Sequence, residues 1–115
     1  MIPAEFDYEV AESVEHAIEL LGSRADAKVI AGGHSLLPLM KFRLARPATL
    51  IDIGRIDGLA GVRDAGDFVA VGALTRHHDL ERDPVAQQHC PLLAYTAALV
   101  GDTRRCPHVW CIVPF

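Results

Sequence analysis

Gly32-Gly33-His34-Ser35 is the part of this chain whose residue types are best suited to holding an anion. An apolar run, Lys28-Val29-Ile30-Ala31, leads into it and a second, Leu36-Leu37-Pro38-Leu39-Met40, leads out. Adjacent glycines let the main chain take positive φ and approach a ligand that a Cβ would hold off. Ser35 is a good helix N-cap, and Pro38 then falls in the first helical turn, where its missing N–H costs nothing. The free N–H groups of such a turn, with the positive end of the helix dipole, attract phosphate. The same residues also make a tight strand-to-helix turn with no ligand, and the local pattern alone leaves both readings open.

Other residues with reactive side chains carry weaker patterns. His77 and His78 stand beside Asp79 and Glu81, but neighbours on a helix point about 100° apart and share no face, so a solvated helix surface is expected there. His89 precedes Cys90 and Pro91 in an apparent loop without a third partner, which fits a structural role better than a nucleophile pair. Cys106, His108 and Cys111 lack the four spaced ligands of a zinc site. No metal site is therefore assigned. Beside the glycines, His34 could donate to a phosphate or pack in the loop. Lys41 could neutralise one or simply be solvated, and Asp52 could face the cap of a neighbouring element.

These residues need a scaffold, and the chain provides alternating strands and helices. Phe6 and Tyr8 start a brief strand; Ser13 caps a helix that presents Val14, Ala17, Ile18 and Leu21 at helical spacing and ends at Gly22. Residues 27–31 read as a second strand, residues 35–42 as a short helix, and residues 49–53, after Pro47, as a third strand. This rhythm is that of βαβ units on a parallel sheet. After Gly54 the character changes: residues 61–64 and 68–73 read as a hairpin turned by Gly66. Thr75 caps a helix through Leu80, and Pro91 opens another with Leu92, Leu93, Thr96, Leu99 and Val100.

Composition bounds the function. The 115 residues are 50% hydrophobic, with mean hydropathy +0.21, a value that calls for further protein to cover apolar surface. A net charge of −4, with acids and bases interspersed, excludes a nucleic-acid footprint. No run approaches the ~18 apolar residues of a membrane span, the N-terminus lacks a signal pattern, and three cysteines are an odd number, so a cytoplasmic protein without a disulfide framework is expected.

Residues 31–41 (AGGHSLLPLMK), Leu50-Ile51-Asp52-Ile53, Val71-Gly72-Ala73-Leu74-Thr75 and Pro91-Leu92-Leu93-Ala94, in this order, resemble the FAD-binding medium subunit of molybdenum hydroxylases of the carbon monoxide dehydrogenase and xanthine dehydrogenase group. The similarity runs from Met1 to about Asp102 and displaces the ligand-free reading of the glycine turn. It implies an α/β (α+β) fold: the N-terminal part of an FAD-binding domain of the PCMH type, with a small parallel βαβ subdomain followed by the start of a mixed-sheet subdomain. By that resemblance Ala31, Gly32, Gly33, His34, Ser35 and Leu36 hold the FAD pyrophosphate. FAD would receive electrons from an iron–sulfur small subunit, itself supplied by a molybdenum-cofactor large subunit, and pass them to an acceptor. Neither a G-x-G-x-x-G nor a P-loop lysine competes with this assignment.

The expected organisation is residues 1–54 as the α/β subdomain with the pyrophosphate loop, 55–102 as an incomplete second subdomain, and 103–115 as an atypical tail. Where the family continues with Thr-Ile-Gly-Gly, this chain reads Thr103-Arg104-Arg105-Cys106. That departure keeps an alternative in view: a truncated, non-catalytic remnant or interaction module that no longer binds FAD, with the isolated chain inactive.

Overall fold

The computed structural model describes residues 2–99. The expected tail at 103–115, with Cys106, His108 and Cys111, and the Gly101-Asp102 junction lie outside the described residues. The chain divides into two compact units, Met1–Asp57 and Gly58–Phe115.

The first unit runs β1 (Asp7–Val10), α1 (Val14–Ser23), β2 (Ala27–Ile30), α2 (Leu36–Lys41), β3 (Thr49–Asp52). Its sheet has the order β1-β3-β2 with every pair parallel, so the βαβ expectation holds. The last strand enters between the first two, pairing Thr49 with both Asp7 and Ala27, and Asp52 with both Val10 and Ile30. A central parallel strand is covered on both faces, which is why consecutive residues Leu50 and Ile51 are both buried.

Ser13 caps α1 as expected: its Oγ accepts the His16 N–H at 3.1 Å, while the Glu12 N–H donates to His16 Nδ1 at 3.2 Å. The apolar face is rotated from the one the spacing indicated. Ala17 and Leu20 are buried, and Val14, Ile18 and Leu21 are exposed, where α1 packs against β2 and β3. The helix also continues past Gly22, closing at Arg24, whose N–H donates to the Leu20 carbonyl and whose guanidinium pairs with Glu9 at 2.7 Å.

The second unit opens with the hairpin β4 (Val62–Asp64) and β5 (Val69–Val71), antiparallel and turned at Gly66, φ +89°. Asp64 Oδ1 accepts the Gly66 N–H at 2.9 Å, and the Ala65 N–H donates to the Phe68 carbonyl. Among the described residues three helices follow: α3 (His77–Arg82), α4 (Pro84–His89) and α5 (Pro91–Leu99). Their core is Leu80, Ala86, Ala94 and Ala97, with Val62 and Val71 of the hairpin packed against it.

Helix α4 did not emerge from the sequence reading, although its start signal is plain. Asp83 Oδ1 accepts the N–H groups of Val85 and Ala86, and Pro84 occupies the first turn. Thr75 does not cap α3. It is buried, and its hydroxyl accepts the Gly61 N–H at 2.9 Å and donates to the Gly61 carbonyl at 3.0 Å, tying the hairpin base to the strand exit. Arg76 takes the cap position without a side-chain bond. At Gly72 a Cβ would stand 2.2 Å from the Leu59 carbonyl oxygen, so only glycine allows that close approach.

Candidate functional site

The glycine loop leaves the carboxyl end of β2, the end of an open α/β sheet where ligands generally bind. Its entry is fixed by the Ile53 N–H donating to the Ile30 carbonyl at 3.1 Å and by burial of Ala31. Gly32 and Gly33 follow at φ +83° and +79°, a consecutive left-handed pair that residues with a Cβ adopt only at a cost. Gly32 is exposed and Gly33 buried. His34 is half-buried in the turn, Ser35 is exposed, and half-buried Leu36 begins α2.

Ser35 departs from its expected role. Its backbone is already helical, φ −93° and ψ −44°, and its side chain makes no cap bond. The neighbouring chemistry explains this. A capping serine would reach the N–H of Leu37 or of residue 38, but Leu37 donates to the Gly33 carbonyl at 2.9 Å and Pro38 has no N–H. The N–H groups of Gly32, Gly33, Ser35 and Leu36 take no backbone acceptor among the described residues, so the loop keeps backbone donors that an anion could use. Backbone donors beside an exposed glycine are the kind of group that can hold a phosphate.

The two glycines differ in what they permit. A Cβ on Gly33 would stand 2.7 Å from Leu37 Cδ1, 2.8 Å from Leu37 Cγ and 3.1 Å from Ile30 Cδ1. A side chain at Gly33 would therefore have to displace that of Leu37, on top of the strain of its φ, whereas Gly32 is exposed.

Lys41 closes α2 at the end opposite the loop and is exposed. The helix stops in a Schellman arrangement: Leu44 N–H donates to the Leu39 carbonyl and Arg43 N–H to that of Met40, with Arg43 at φ +57°. Asp52, in register with Ile30, caps no helix. One of its oxygens accepts the Gly54 N–H at 2.7 Å and the other accepts the Tyr8 hydroxyl. That bond, then burial and the Asp52 charge, raise the Tyr8 phenol above its ordinary 10.0, against the opposing pull of Arg55. The Tyr8–Asp52 pair escaped the sequence reading because the two residues lie 44 positions apart, and only the strand order brings them together.

In the second unit, His77 and His78 are half-buried rather than solvated. His89 ends α4 and turns its Nε2 toward Asp64 at 3.4 Å, and Cys90 is its half-buried C-cap. A depression of about 210 Å³ lined by Ala60, Gly61, Val62, Thr75, Asp79 and Asp83 belongs wholly to this unit and shares no residue with the glycine loop. No helix among the described residues is long and apolar enough to cross a membrane.

Residues 4–104 match the family model described as the FAD binding domain in molybdopterin dehydrogenase. The chain is 50% identical over 105 residues to the carbon monoxide dehydrogenase medium chain of Hydrogenophaga pseudoflava, covering 90% of this chain and 37% of the relative. It is also 50% identical over 105 residues to the 6-hydroxypseudooxynicotine dehydrogenase complex subunit alpha of Paenarthrobacter nicotinovorans, covering 90% and 36%. The solved carbon monoxide dehydrogenase from Hydrogenophaga pseudoflava superposes with a TM-score of 0.84, covering 90% of this chain and 37% of that one. The chain thus spans little more than a third of the length of these relatives. With the parallel α/β unit and the left-handed glycine pair in place, the match over nearly the whole chain means that the protein belongs to the family of FAD-binding domains of molybdopterin dehydrogenases.

Proposed function

We propose that this chain is the FAD-pyrophosphate-binding, N-terminal portion of an electron-transferring flavin subunit of a molybdenum hydroxylase. The observation that carries the reading is the left-handed Gly32-Gly33 pair within a family match over residues 4–104. Ala31 anchors the loop in the core; Gly32 and Gly33 admit the diphosphate; the amides at Gly32, Gly33, Ser35 and Leu36 neutralise it; His34 and Ser35 flank it. FAD, when bound, supplies the redox chemistry, and the protein supplies position and electrostatics. No side chain of this chain acts on the organic substrate.

Two relatives bear names of multi-subunit enzymes, a medium chain and a complex subunit alpha. The partners proposed here are correspondingly an iron–sulfur small subunit that delivers electrons and a molybdenum-cofactor large subunit that generates them, in the cytoplasm. The chain matches only about a third of its relatives' length. On this reading the isolated 115 residues hold FAD weakly and turn nothing over.

The test is an equilibrium titration of the chain with FAD, followed by flavin fluorescence anisotropy, for the unsubstituted protein, Gly32→Ala and Gly66→Ala. Gly66 has the same left-handed backbone, φ +89°, with open space around a Cβ, and lies in the hairpin, so it controls for backbone strain alone. Loss of binding in Gly32→Ala but not in Gly66→Ala is expected. Equal affinity in all three would overturn the loop assignment, and no saturable binding in any would favour the remnant that has lost the flavin.

A further inference from the structure

We propose that Leu37 is the positioning residue of the glycine loop: it holds Gly33 in its left-handed conformation from below before any ligand arrives. The inference rests on the reading of the loop as an FAD site and adds a residue outside the Ala31–Leu36 stretch. Leu37 grips Gly33 twice. Its N–H donates to the Gly33 carbonyl at 2.9 Å, and its side chain fills the volume into which a Cβ at Gly33 would project, 2.7 Å from Cδ1 and 2.8 Å from Cγ. Ile30, at the end of β2, completes this floor at 3.1 Å. Leu37 also uses the one amide a capping Ser35 would have needed, which leaves Ser35 exposed on the open side of the loop.

A glycine pair is flexible by nature, since glycine populates both signs of φ with ease. An anion site built from glycine amides binds well only if those amides already point the right way; otherwise part of the affinity is lost to ordering them. The Leu37 side chain supplies the missing constraint by packing where neither glycine has atoms of its own. Gly33 and Leu37 are thus a complementary pair, one without a side chain because the other occupies its space.

The experiment uses the full chain with Leu37→Ala, Leu37→Met, Gly33→Ala and the double variant Gly33→Ala/Leu37→Ala. Two readouts are taken: the amide resonances of all glycines in the free protein, and the FAD dissociation constant by flavin fluorescence anisotropy. Leu37→Ala is expected to shift the Gly32 and Gly33 resonances while leaving Gly58, Gly61 and Gly66 in place. If the competent loop population falls to a tenth, the FAD dissociation constant rises about tenfold. Leu37→Met restores both. Gly33→Ala weakens binding more in the Leu37 background than in the Leu37→Ala background, because the truncated side chain no longer collides with the new methyl. Unmoved Gly32 and Gly33 resonances in Leu37→Ala overturn the proposal, as does a full shift with unchanged affinity. Should the unsubstituted chain not bind FAD, the flavin reading fails, and the resonances with the Gly33–Leu37 coupling, followed by thermal unfolding, still decide the positioning role.

Discussion

Gly32 and Gly33 share a left-handed backbone for different reasons: one faces outward, and the other has its Cβ direction filled by Leu37. The sequence displays the pair as identical letters, so the glycine turn between strand and helix was legible there while the difference between its two residues was not. Ser35 illustrates the converse. Its residue type reads as a cap, but Leu37 and Pro38 leave no amide for it to take. A pH effect belongs at this scale too. The Tyr8 phenol is held above its ordinary 10.0 by its bond to Asp52, so the neutral form is favoured in the folded protein. That stabilisation is fully present below about pH 10 and is lost as pH rises through the elevated folded value. Tyr8→Phe should therefore lower stability at neutral pH and flatten its alkaline decline, as measured by urea midpoints at a series of pH values. An alkaline decline as steep in the variant as in the unsubstituted chain would show that the Tyr8–Asp52 bond does not contribute.

At the scale of elements, the three parallel strands, α1, α2 and the hairpin were readable because each has a local signature: an apolar run, a helical period or a glycine turn. The order β1-β3-β2 was not, since parallel pairing joins segments more than twenty residues apart and leaves no local mark. The buried side of α1 was misplaced for a related reason. Ala17 was placed correctly, but Leu20 takes the buried position that the spacing assigned to Ile18, because the face that meets the sheet is set by packing against β2 and β3 and not by the helical period alone. It follows that Ile18→Lys should leave the melting temperature nearly unchanged, whereas Leu20→Ala should cost about 2–5 kcal/mol if the cavity does not collapse. Thermal unfolding of the two variants compares them directly. Helix α4 hangs on its cap: Asp83→Ala removes the acceptor of two amides and should destabilise the second unit by roughly 0.5–2 kcal/mol. Hydrogen exchange at Val85 and Ala86 should rise with it. Unchanged protection there would show that Pro84 and packing against α5 suffice to hold the helix.

For the whole molecule, the most consequential property is the amount of large apolar side chain left facing outward. Leu92, Tyr95 and Leu99 follow one another along α5 at helical spacing and are 76%, 67% and 69% exposed, while its buried residues are the small Ala94 and Ala97. Phe68 at the hairpin turn is exposed as well, as are Ile18, Phe42 and Leu44 in the first unit. Single exposed hydrophobes are ordinary, but several on one short helix form a surface that water disfavours and another apolar surface would cover. The mean hydropathy of +0.21 had already pointed the same way, without saying where the surplus lay. A second copy of this chain would bring the same apolar side chains as cover. The isolated chain should therefore self-associate. Light scattering over a micromolar concentration series is expected to give an apparent mass that climbs with concentration. Replacing Leu92 and Leu99 together by glutamate should hold it near the 12.5 kDa of one chain without lowering the melting temperature, since neither residue is in the core. A monodisperse monomer before any substitution would mean that these side chains are covered by the chain itself, and the need for outside partners on that face would disappear.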